Sequence, residues 1–228
     1  MNFRVILLVS LIVIFAVVMG VTNFASLGGV DLEKAQADGK VEINQDTAAG
    51  TVPHTVTMKN NGTNPVTVRK GQILNNPSSQ DLVVAEDLTI PAASNSTVKT
   101  YCAEPDQKAT PGAKLTANQT ANTMVLTIIT DSNPSNPSSA RSAQLKIWIL
   151  KKGGEVDPYT GEAQAMVQSS KSTYYQLKQD LTAANNNVTT QFGLSNETLK
   201  NMTNLASPEG ITSGIDALRN WFKNTLGI

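Results

Sequence analysis

The sequence predicts a mainly β protein: a β-sandwich over residues 41–151, preceded by one apolar helix within residues 1–25 and followed by a small α-helical unit over residues 161–228. Three observations lead there. Residues 5–21 form an uncharged apolar run whose one polar side chain is Ser10. Residues 41–151 show short apolar alternations parted by turn residues, and beyond that point apolar residues recur at three- and four-residue steps.

An apolar helix crosses bilayer hydrocarbon with ~20 residues at 1.5 Å rise each, and the N-terminal run reaches that length with its flanks. It reads as a transmembrane anchor or, if removed, as a signal sequence, with Gly20 and Ala25 as small residues at the cut. Arg4 precedes the run, and Asp31 and Glu33 are the first charges after it, so the bias of basic residues towards the cytoplasm puts the rest of the chain outside. That makes the membrane a partner, and the protein membrane-anchored or secreted. Residues 26–40, with Gly28, Gly29 and Gly39, read as a tether.

The clearest hairpin runs from His54 to Asn60, turns at Asn61 and Gly62, and returns from Val66 to Arg69, with Val56 and Met58 on the buried face. Further strands are expected at 41–44, 72–74, 82–85, 88–90 and 97–102. The β-branched run 124–130 reads as a central strand. In the last strand Ala143, Leu145, Ile147 and Ile149 alternate with Gln144, Lys146 and a half-exposed Trp148. The polar stretch 104–121 reads as a long loop suited to contact.

Residues 55–68, a strand, an Asn-x-Gly turn and a second strand, resemble the opening of immunoglobulin-like β-sandwich modules in prokaryotic cell-surface and secreted proteins. The resemblance covers this one hairpin. It implies an immunoglobulin-like sandwich that is exposed and works in adhesion or spacing, and it carries no functional residue over.

After a linker at 152–160, Ala163, Met166, Val167, Ser170, Tyr174, Leu177 and Leu181 mark one helical face, which Asn185 to Asn187 end. Ser195 is placed to cap a second helix, with Leu194 and Leu199 as a hydrophobic staple. Pro208 opens a third, with Ile211, Ile215, Leu218, Phe222 and Leu226 on its apolar face.

Net charge is zero and the isoelectric point near 6.6, so no basic field exists to gather nucleic acid. Cys102 is the single cysteine and His54 the single histidine. One cysteine makes no internal disulfide, and one imidazole with one thiolate cannot complete a copper or zinc site of the usual types. A Cys102–His54 nucleophile pair requires the fold to bring them together, whereas two strand residues read more simply as packing. No catalytic, metal or cofactor residue is assigned and no cofactor is expected. Asn61, Asn95, Asn118, Asn187, Asn196 and Asn201 head glycosylation sequons. The expected function is a non-catalytic surface protein, an adhesion, interaction or assembly module with a protein or cell-surface partner. The alternative is an exported enzyme or a small-ligand binder with its site where sandwich meets helices.

Overall fold

The computed structural model describes residues 29–77, 79–170 and 172–202. The expected anchor, the third C-terminal helix and Phe222 lie outside the described residues. The chain forms β1 (Val30–Asp31), α1 (Leu32–Ala37), β2 (Val41–Gln45), β3 (His54–Asn60), β4 (Val66–Val68), β5 (Gln72–Asn75), β6 (Leu82–Val84), β7 (Leu88–Ile90), β8 (Ser94–Cys102) and β9 (Thr116–Thr120). Five helices follow: α2 (Thr123–Thr130), α3 (Pro137–Lys152), α4 (Gly161–Ser170), α5 (Tyr174–Phe192) and α6 (Asn196–Met202). The result is a mixed α/β fold around a curled half-barrel, not an immunoglobulin-like sandwich.

The large sheet runs β2-β3-β8-β6-β5-β9, and a small one runs β1-β4-β7. Val56 and Met58 are buried as their alternation requires. The expected hairpin does not form. β3 pairs with β2 and β8, while β4 pairs with β1 and β7 in the other sheet. The Asn60 side chain explains the departure, because its amide donates to the carbonyls of Asn64 (2.9 Å) and Pro91 (3.0 Å) while its oxygen accepts from the Gly62 N–H (2.9 Å). These bonds hold a wide corner that turns the chain out of one sheet and into the next.

Half of the expected contact loop is structural. Ala113 and Leu115 exchange backbone hydrogen bonds with Gln45 and Ile43 of β2, and Asn44 bridges Lys114. A residue later the same segment becomes β9 and pairs with β5. It thus links the two ends of the curled sheet. The Gln36 carboxamide on α1 supports the crossover, donating to Leu115 O (2.7 Å) and accepting from Ala117 N (2.6 Å). The expected tether is therefore ordered here, with Leu32 and Ala35 buried.

The two strands expected at 124–130 and 143–150 are helices. Asn122 accepts from Val125 N (3.0 Å) and Asn136 accepts from Ser139 N (3.0 Å), each capping a helix start, and Pro137 stands where its missing N–H is not needed. Gly153, left-handed at φ 60°, ends α3 after Lys151 and Lys152. Helix α3 lies between β8 and α5, so it is buried on two sides and Trp148 is fully enclosed. The helix expected from 163 is two helices, since Thr173 caps a new start by accepting from Gln176 N (3.1 Å). The second continues past Asn187 to Phe192, and Gly193 stops it. Ser195 caps α6 as expected, accepting from Thr198 N (3.0 Å).

Among the described residues no helix is long and apolar enough to cross a membrane.

Candidate functional site

Strands β2, β5 and β8 end at one mouth of the half-barrel, and β3, β6 and β9 start there. Three connections, residues 46–53, 76–81 and 103–115, therefore crowd that mouth. It holds a concentration of buried polar side chains: Gln45, His54, Ser79, Gln80, Thr100 and Glu162.

His54 opens β3, and both ring nitrogens are engaged. Nδ1 lies 2.9 Å from Thr47 Oγ1, which also accepts from Thr55 N (3.1 Å). Nε2 lies 3.1 Å from Gln80 Nε2 and 3.5 Å from a Glu162 oxygen. Glu162 comes from the first turn of α4 and is 1% exposed. Its Oε2 accepts from Gly50 N (2.5 Å) and its Oε1 from Ala109 N (2.6 Å), so one carboxylate ties two loops and β3 to a helix. Charge-assisted bonds of this kind are roughly twice as strong as neutral ones.

Close backbone packing makes this placement feasible. Gly161 has φ +51°, and a Cβ there would collide with the backbone of Pro105 and Asp106. Pro105 O accepts from Glu162 N (2.8 Å), covering the start of α4. Gly50, at φ +83°, is held from both ends, because Ser169 Oγ donates to its carbonyl (2.9 Å) while its N–H serves Glu162. Ser79 adds a further tie, with its Oγ accepting from Thr110 N (3.2 Å).

Cys102 ends β8 and is fully enclosed. His54 pairs with Thr100 and Cys102 follows two residues on, so the fold does bring the lone thiol and the lone imidazole to one neighbourhood. They do not form a nucleophile pair. Thr47, Gln80 and Glu162 hold the imidazole nitrogens, and the sulfur accepts from Glu104 N (3.3 Å). Burial first, and the Glu162 charge second, push the thiol well above its ordinary pKa, the reverse of what a thiolate nucleophile needs. Among the described residues no group of three or more His, Cys, Asp and Glu could hold a metal ion.

The six sequon asparagines are all exposed, with Asn61 in a turn, Asn95 in β8, Asn118 in β9, Asn187 in α5 and Asn196 and Asn201 in α6. Elsewhere, a groove of about 240 Å³ lies between α3 and α5 over the Arg141–Asp180 pair, and an open groove of about 570 Å³ beside β5 and α2 is edged by Asp31, Arg69, Lys70 and Asp87. Thr47, Gln80 and Glu162 carry no motif, so sequence reasoning passed over them. The one local sign is that Glu162 sits between Gly161 and Ala163, small residues that permit close approach.

A family model, the ARG and Rhodanese-Phosphatase-superfamily-associated Protein domain (ARPP-1), matches residues 9–199. The chain belongs to this family. The ARPP-1 match replaces the immunoglobulin-like resemblance, whose hairpin the strand pairing also removes. It begins inside the apolar run, at residue 9. Membrane anchoring through an N-terminal helix, and the placement at the cell surface or in the medium inferred from it, find no support here, since no helix among the described residues is long and apolar enough to span a membrane. No curated protein and no solved structure matches the chain.

Proposed function

We propose that this ARPP-1 chain is a non-catalytic interaction or assembly module. The observation that carries the reading is an exposed aromatic face on the helical side: Tyr175 is 71% exposed and Tyr159 50% exposed. Tyr159 packs on Tyr174 with centroids 4.8 Å apart, and Lys178 Nζ lies 4.9 Å over the Tyr159 ring. Tyrosines held rigid at a surface supply large contact area at little entropic cost, which is why they are enriched at protein interfaces. The enclosed Cys102 and the engaged His54 support the same reading, because neither is presented to a substrate. The family's description supports it too, naming the domain by association with ARG and the rhodanese-phosphatase superfamily and not by a reaction.

The test is binding of the purified chain to a rhodanese-phosphatase superfamily protein, measured by calorimetry. Changing Tyr159 and Tyr175 together to alanine should weaken the complex at least tenfold while the melting temperature stays put. A binding footprint that spares both tyrosines, or turnover of a substrate by the chain alone, would sink the reading.

A further inference from the structure

The Glu162 carboxylate is bound as a ligand would be bound. One backbone N–H reaches each of its oxygens, from Gly50 and Ala109 on two different loops, and the imidazole of His54 closes the third side. Donors aimed at a planar two-oxygen anion in a water-excluded place form an anion site whichever chain supplies the anion. The same mouth has hydrogen-bonding capacity to spare. Thr100 Oγ1, on the register partner of His54, is buried without a partner and has an O–H to donate, whereas the unpaired Gln80 Oε1 beside His54 is an amide oxygen that only accepts and adds nothing to anion binding. Buried polar atoms in native proteins are satisfied by protein, water or ligand.

We propose that the mouth of the half-barrel is a binding site for a small carboxylate, filled in cis by Glu162, with α4 as the latch that delivers it. A competing carboxylate takes the Gly50 and Ala109 N–H groups and the His54 contact. It thereby removes the carboxylate tie from α4 to Gly50 and Ala109, leaving the helix held there by the bonds from the Glu162 N–H to Pro105 O and from Ser169 Oγ to Gly50 O. The ligand class follows from the donors: one N–H per oxygen suits a carboxylate, and the volume beyond the Glu162 Cβ equals a CH₂ and a carboxylate, which is the size of acetate. This site is separate from the tyrosine face and stands or falls independently of it.

Glu162→Ala vacates the site, and acetate restores the atoms removed. Thermal unfolding should show the variant below the wild type and raised saturably by acetate, with half-saturation on the order of 10 mM, as expected for so small a ligand. Sodium chloride at equal ionic strength and the neutral isostere acetamide should do nothing comparable. Because His54 is the only histidine, its ring proton resonance reports the site alone and should move with the same dependence. Glu162→Gln keeps the site filled and should show no acetate response. An Ala variant that responds to acetate no more than to chloride, or a Gln variant that responds equally, overturns the proposal. Should the Ala variant fail to fold, recovery on refolding in acetate but not in chloride supports it, and no difference between the two salts overturns it.

Discussion

Gln144 on α3 holds the backbone of Cys102 with both ends of its carboxamide, accepting from Cys102 N at 2.8 Å and donating to Cys102 O at 2.7 Å. A side chain thereby takes the place that β3 leaves empty beside the end of β8, since β3 starts opposite Thr100, and it fastens the helical layer to the sheet where both are fully buried. Replacing Gln144 with methionine keeps the volume and strands two backbone groups. Each such group costs about 1–3 kcal/mol, so urea unfolding should show a loss of about 2–6 kcal/mol. A loss under about 0.5 kcal/mol would mean that the pairing contributes nothing.

The Cys102 thiol is held neutral by burial and by Glu162. In the unfolded chain it ionises near its ordinary value of 9.0, while the folded chain keeps the proton. Above that pH the unfolded state binds fewer protons than the native state, so stability falls as pH rises. The stabilising effect of the proton is complete below pH 9 and is lost progressively above it. Tyr101, also raised by burial, adds its own loss above about its ordinary 10.0. Chemical denaturation from pH 8 to 10 should give a declining curve for the wild type and a flatter one for Cys102→Ala. Equal slopes would contradict this account.

Thiol labelling gives a kinetic check on the same residue. With no path to solvent, Cys102 should react in native buffer no faster than the protein opens, and fast in denaturant. Native labelling at the rate of a free thiol would return the nucleophile reading to consideration.

Gly50→Ala meets two obstacles, a left-handed φ of +83° and a collision between the new Cβ and the Ala165 carbonyl. Overpacking of this kind typically costs about 1–3 kcal/mol and the conformation adds about 1 kcal/mol. Hydrogen exchange should rise first in α4 and in residues 46–53, since Gly50 also gives its N–H to Glu162. Uniform loosening across the sheet would point to another cause.

Asn122→Ala removes the cap of α2 and should cost about 1 kcal/mol, with a fall in helical circular dichroism. No change in either would show that packing alone sets that helix start.

Much of β2 to β8 was legible because half-buried strands alternate, as Val56 and Met58 do. The misreadings share one cause. Ala143, Leu145, Ile147 and Ile149 look like a strand, yet on a helix Ala143 and Ile147 share one face while Leu145 and Ile149 share the opposite one. Only a neighbour on each side, β8 and α5, makes such a helix stable, and neighbours are not written in local periodicity. The candidate site was less legible still. Glu162 lies 108 residues beyond His54 and 112 beyond Gly50, and nothing at any one position marks the three as partners.

The sequence by itself determined the Asn60–Gly62 turn bond and the caps at Asn122, Asn136 and Ser195, because each is a contact between residues close in the chain, and the alternation of apolar residues marked which strand faces are buried. The tertiary structure alone decided that β3 and β4 part into different sheets, that residues 112–120 close the half-barrel, and that Glu162 meets the loops around His54. Those outcomes depend on burial and on donors brought together across the fold, and such energies exist only once the chain has packed.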